Sequence, residues 1–74
     1  MDREELLKAI SAGPIEIVMT NGDRFVVPSS EFAIVDSIAA HVLYKAGDGK
    51  LRTAILPLVT MSVIHPLESV PDSD

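Results

Sequence analysis

His41 and His65 are the only histidines in the chain. With a carboxylate such as Asp36 they supply the residue types of a metal site. Their positions follow no ligand-spacing motif and fall on different predicted strands, so the expectation is ordinary surface or edge histidines, with no metal and no cofactor. Asp36, Ser37 and His41 carry the residue types of a hydrolytic triad. No glycine surrounds Ser37, as a nucleophile elbow would require. Asp36-Ser37 reads more simply as a turn, because both side chains favour local backbone bonds. Gly47-Asp48-Gly49-Lys50 superficially resembles a phosphate loop but lacks its spacing and the helix that must follow. A hairpin tip is the better reading. No catalytic residue emerges, and the expectation is a protein that is not an enzyme. Lys45, Lys50 and Arg52 cluster near Tyr44, a combination that would suit contact with single-stranded nucleic acid. The competing reading is that lysines guard a sheet edge against uncontrolled pairing.

These residues need elements to hold them, and the composition bounds what those are. Seventy-four residues make one domain. A chain this short buries only about 60% of its unfolded surface. Disulfides, metals or oligomerisation usually compensate. With no cysteine, oligomerisation is the remaining route. Hydrophobic residues make up 47% of the chain, yet only Phe25, Phe32 and Tyr44 are aromatic. That apolar share exceeds what one thin core can cover, and exposed apolar patches usually mark interfaces. A formal net charge of −5 argues against nucleic-acid binding through clustered cations, without excluding a local basic patch. The charged start, Met1-Asp2-Arg3-Glu4-Glu5, does not read as a signal peptide. The longest nearly uncharged stretch, residues 53–64, falls short of the about 20 residues of a membrane span. A cytoplasmic protein without membrane contact is expected.

Residues 2–12 predict a helix. Asp2 and Glu5 stand as a capping-box-like pair, Glu4 and Glu5 suit the positive helix start, and Leu6, Leu7 and Ile10 form an apolar stripe. Gly13-Pro14 stops it. Asn21-Gly22 between residues 15–19 and 24–27 predicts a hairpin. A three-residue loop, Thr20-Asn21-Gly22, pairs Ile17 with Phe25 and Ile15 with Val27. It turns Glu16 and Arg24 outward. A two-residue turn would mix Glu16 and Phe25 on one face, so the longer loop is preferred. After Pro28, Ser29 or Ser30 caps a short helical turn through Phe32. Residues 33–36 form a short strand. Phe32, Ile34, Val35 and Ile38 plug a barrel end or, alternatively, line an exposed groove.

Residues 40–46 and 51–56 predict a second hairpin. With Asp48-Gly49 as its turn, Val42 faces Ile55, Tyr44 faces Thr53 and Ala46 faces Leu51. The opposite face then carries His41, Leu43, Lys45, Arg52, Ala54 and Leu56. Both faces are substantially apolar, as in a strand pair buried on two sides. His41, Leu43, Ala54 and Leu56 are therefore the candidate oligomer interface. A 3₁₀ turn at 57–59 leads to a last strand at 60–65, with Met61 and Val63 on one face. Residues 1–67 form the domain, and 68–74 an acidic disordered tail.

This order of elements resembles the Sm-like fold of Sm, Lsm and Hfq proteins. Asn21-Gly22-x-x-Phe25 is similar to that family's first hairpin, and Val35-Asp36 followed by Val42-Leu43 to the end of its first motif. Ala54-Ile55 leading into Val59, Val63, Ile64 and Pro66 resembles its second motif loosely. The resemblance spans about residues 3–66 and implies a ring-forming RNA-binding protein. The RNA site departs from it. Ala39 and Ala40 stand near the expected Asn, Leu56-Pro57 near the expected Arg-Gly, and no Tyr-Lys-His stretch occurs near Thr53-Ala54. The chain is also similar to small bacterial proteins of about this length, through Arg3-Glu4-Glu5-Leu6, Pro14, Asn21-Gly22 and residues 56–60. That likeness implies no activity. The fold expected is mainly β with one N-terminal helix: a small bent five-stranded antiparallel sheet or barrel, Sm-like or SH3-like. The function expected is a non-catalytic protein-interaction or scaffold module that forms a homo-oligomer, with an Sm-like RNA-binding regulator as the alternative.

Overall fold

The structure, a computed structural model, describes residues 1–68. Residues 69–74 of the expected acidic tail lie outside the described residues.

One helix, α1 (Arg3–Ala12), precedes six strands: β1 (Ile15–Met19), β2 (Arg24–Val27), β3 (Ala33–Val35), β4 (Ala39–Lys45), β5 (Leu51–Pro57) and β6 (Met61–Pro66). Short 3₁₀ turns at Ser30–Phe32 and Leu58–Thr60 join β2 to β3 and β5 to β6. The protein is mainly β with one N-terminal helix, as its sequence predicts. Its strands divide into two three-stranded antiparallel sheets, ordered β2-β1-β6 and β3-β4-β5. One bent five-stranded sheet or barrel was the expectation. The 3₁₀ turn after Pro28, which cannot donate to a ladder, separates β2 from β3, and no strand pairing joins the two sheets into a closed barrel among the described residues.

Leu6 and Ile10, four apart on one face of α1, are buried, whereas Leu7 is exposed. Asp2 occupies the N-cap position with an extended backbone, and its carbonyl accepts the Leu6 N–H (3.1 Å). Its carboxylate makes no cap bond, so the expected capping box does not form. Glu4 and Glu5 still place negative charge in the first turn, where the helix dipole favours it. Gly13 ends the helix at φ 144°, a backbone that side-chain-bearing residues rarely adopt.

The first hairpin has the predicted register, with Ile15 opposite Val27 and Ile17 opposite Phe25. Its three-residue loop is closed by Met19 N–H to Asp23 O (2.8 Å) and Gly22 N–H to Met19 O (2.9 Å), with Gly22 at φ 94°. Glu16 and Arg24 meet on the outer side at 3.0 Å.

The second hairpin is one residue out of the predicted register. Val42 lies opposite Ala54, Leu43 opposite Thr53, Tyr44 opposite Arg52, and Lys45 opposite Leu51. The cause lies in its tip. Ala46 N–H donates to Lys50 O and Gly49 N–H to Ala46 O, both at 2.9 Å, around a three-residue loop, Gly47-Asp48-Gly49, with Gly49 at φ 83°. This is the closure of the first hairpin repeated, where a two-residue Asp48-Gly49 turn was expected. A one-residue slip reverses every side chain on the strand. Ala54 and Leu56 accordingly turn inward, and Leu51 and Ile55 outward.

β6 differs similarly. Its ladder with β1 shifts between Val18 and Met19, so Met61 and Ile64 face inward and Val63 outward, rather than Met61 and Val63 sharing a face. The core joins Leu6 and Ile10 to Ile15, Ile17, Val27, Val42, Leu56, Leu58 and Met61.

Candidate functional site

Asp36 follows β3, in the turn that leads into β4. Its Oδ1 accepts the backbone N–H groups of Ile38 and Ala39, both at 2.8 Å. Its Oδ2 lies 3.2 Å from His41 Nε2. The Ile38 N–H, then the Ala39 N–H, then His41 hold the Asp36 carboxyl below its ordinary value. A nucleophile must bond its base. His41 instead faces Asp36, and among the described residues Ser37 shares no hydrogen bond with it. The Asp36 carboxylate serves as the turn's backbone acceptor. His65 lies opposite Glu16 in the other sheet, and among the described residues no group of three metal-ligating side chains converges.

The second hairpin's charges are arranged to stiffen its tip. Asp48 Oδ1 accepts the Lys50 N–H (3.0 Å), and Asp48 Oδ2 bonds Arg52 Nη2 (2.8 Å). The Lys50 N–H, then Arg52, keep the Asp48 carboxyl below its ordinary value. The register sends Lys45 to the outer face with Leu43, and Arg52 to the opposite face with Tyr44. The Tyr44 ring packs edge-on against Phe25, with centroids 5.5 Å apart. Lys45, Lys50, Arg52 and Tyr44 therefore do not form the single basic, aromatic patch that their sequence proximity suggested.

Apolar surface is where the structure is unusual. The outer face of the β3-β4-β5 sheet carries a cross-strand row, Ile34–His41–Ile55. Ile34 is 73% exposed and Ile55 65%. Half-buried Leu43 and exposed Leu51 continue it along the hairpin. At one end of the same sheet Leu58 N–H donates to Ile38 O (2.8 Å), and Ile38 and Val59, beside this bond, are also exposed. Exposed apolar residues clustered on one face commonly mark an interaction site.

Of the four residues expected in an oligomer interface, His41 and Leu43 lie on this outer face. Leu56 is 4% exposed and belongs to the core, and Ala54 packs against that core; the register slip exchanges them for Ile55 and Leu51. Gly49, placed in its tip as Gly22 is in the first, was the signal that would have found them. The expected barrel plug splits. Phe32 and Val35 pack against the core, and Ile34 and Ile38 face solvent.

A cleft of about 430 Å³ separates the sheets beside β5. Met19, Asn21, Asp23 and Phe25 line one side, Ala54 and Leu56 the other. Asn21 and Asp23 satisfy each other through Asn21 Nδ2 to Asp23 Oδ2 (3.2 Å) and the Asp23 N–H to Asn21 Oδ1 (3.0 Å).

Comparison with family models, curated proteins and solved structures finds no match. Among the described residues, no helix is long and apolar enough to cross a membrane.

Proposed function

We propose that this protein is a non-catalytic interaction module that assembles with copies of itself and uses the assembly as a scaffold. The observation that carries the reading is the Ile34–His41–Ile55 row with exposed isoleucines at both ends, together with exposed Leu51, Ile38 and Val59. A domain of this size has a marginal core. Covering such a row with a like surface removes apolar area from water at about 25 cal/mol per Å². The succession of a helix and two small antiparallel sheets supports an Sm-like or SH3-like arrangement, a scaffold type that hosts many binding functions. RNA binding, the alternative, would rest on three cations that the register divides between two faces. Failure to retain single-stranded RNA at low salt removes it.

The test is an Ile55→Glu variant studied by light scattering and circular dichroism. Ile55 is exposed, so the variant keeps the wild-type spectrum and melts lower only by what assembly contributes. Its mass falls to that of one subunit while the wild type remains assembled. An unchanged mass for the variant would overturn the reading.

A further inference from the structure

Among the described residues, β5 ends its sheet with one flank unpaired. Bonded and non-bonded pairs alternate along an antiparallel ladder. Ala46 bonds Lys50, so the bonded pairs continue as Tyr44–Arg52 and Val42–Ala54, with Leu43–Thr53 and His41–Ile55 between them. The backbone N–H and C=O groups of Leu51, Thr53 and Ile55 therefore point away from β4, into the open flank. The bare edge reads Leu51-Arg52-Thr53-Ala54-Ile55; on its outer face apolar Leu51 and Ile55 flank Thr53, and that face is self-complementary. Of the features that blunt edges it carries Arg52 on the inner face and Pro57 at the strand's end, and neither removes a backbone donor at Leu51, Thr53 or Ile55.

We infer that the occupant of this edge is the β5 strand of a second copy, antiparallel about a two-fold axis through Thr53. This deepens, and rests on, the self-assembly reading above. Thr53 then meets the Thr53 of the other copy, and Leu51 meets its Ile55. Six N–H···O bonds form and the two sheets become one of six strands. On the outer face Leu51 and Ile55 cover each other across the junction, extending the Ile34–His41–Ile55 row. On the inner face paired residues share a side. Arg52 of one copy comes beside Ala54 of the other, and Lys50 beside Leu56. Ala54 and Leu56 line the cleft whose far wall carries Asp23. Among the described residues, no cation of the same chain lies within ion-pair distance of Asp23. The incoming Arg52 and Lys50 bring positive charge to that acidic wall, and no like charges face each other directly across the pairing.

The test uses the full chain, whose lack of cysteine makes a single introduced thiol unambiguous. Thr53→Cys keeps the backbone donor at an exposed position. Mild oxidation is expected to link two copies through it, and to leave a Ser62→Cys control on β6 unlinked. Thr53→Pro removes an N–H that β4 does not use and is expected to raise the dimer dissociation constant about 30-fold, by losing two ladder bonds. Should the proline variant fail to fold, the thiol variant decides alone. A wild type that assembles while Thr53→Cys stays unlinked overturns the two-fold edge and leaves self-assembly standing. A monomeric wild type overturns both.

Discussion

Replacing Asp36 by alanine removes the acceptor of two backbone N–H groups in the turn that starts β4. We expect Asp36→Ala to lower the melting temperature more than Asp36→Asn, whose amide oxygen still accepts. The charge has its own signature. The folded carboxyl is held below its ordinary value of 3.8. The stability it contributes is therefore fully present above that pH and is lost as pH falls through the folded value. Thermal melts of wild type and Asp36→Asn should draw together as pH falls from 7 to below 3.8. Curves that stay parallel would show that the ionised form is not what the turn holds. A sharper contrast lies within β5. Leu56→Ala opens a core cavity and should cost about 2–5 kcal/mol, while Ile55→Ala, on the solvent face, should stay within about 0.5 kcal/mol in the dissociated subunit. Denaturant unfolding of both variants at high dilution checks the register directly, since the predicted slip would invert the two effects.

At the scale of elements, both hairpins use a three-residue loop with glycine third, at φ 94° for Gly22 and 83° for Gly49. A Cβ at either position meets nothing within 4 Å, so the effect of substitution is conformational. Gly49→Ala should destabilise by about 1–2 kcal/mol, and Gly47→Ala, in the same loop without a positive φ, should be close to neutral. Equal losses in chemical denaturation would contradict the loop assignment. The first hairpin was legible because Glu16 and Arg24 penalise every register but one. The second was not, because its strands are apolar on both faces. Val42, Leu43, Ala54 and Ile55 give no burial contrast to separate the alternatives, and the deciding feature is the backbone of Gly49. β6 was misread for a related reason. The irregularity opposite Val18 and Met19 inserts a residue that hydrophobic alternation does not reveal, exchanging Val63 for Ile64 on the inner face. Helix and strand positions and the locations of both hairpin tips, though not the loop length of the second, could be read from periodicity and turn residues alone.

For the whole molecule, an apolar content of 47% in 74 residues is divided between a core and an exposed face. The sequence announced that surplus but not its address. Once the register is known, the surplus falls on the outer row of the β3-β4-β5 sheet and on its bare edge, and the same displacement separates Lys45 from Arg52. The most direct measurement is sedimentation velocity of the wild-type chain from about one to several tens of micromolar. A species heavier than one subunit that dissociates on dilution is expected. A sedimentation coefficient fixed at the single-subunit value over that whole range would contradict it.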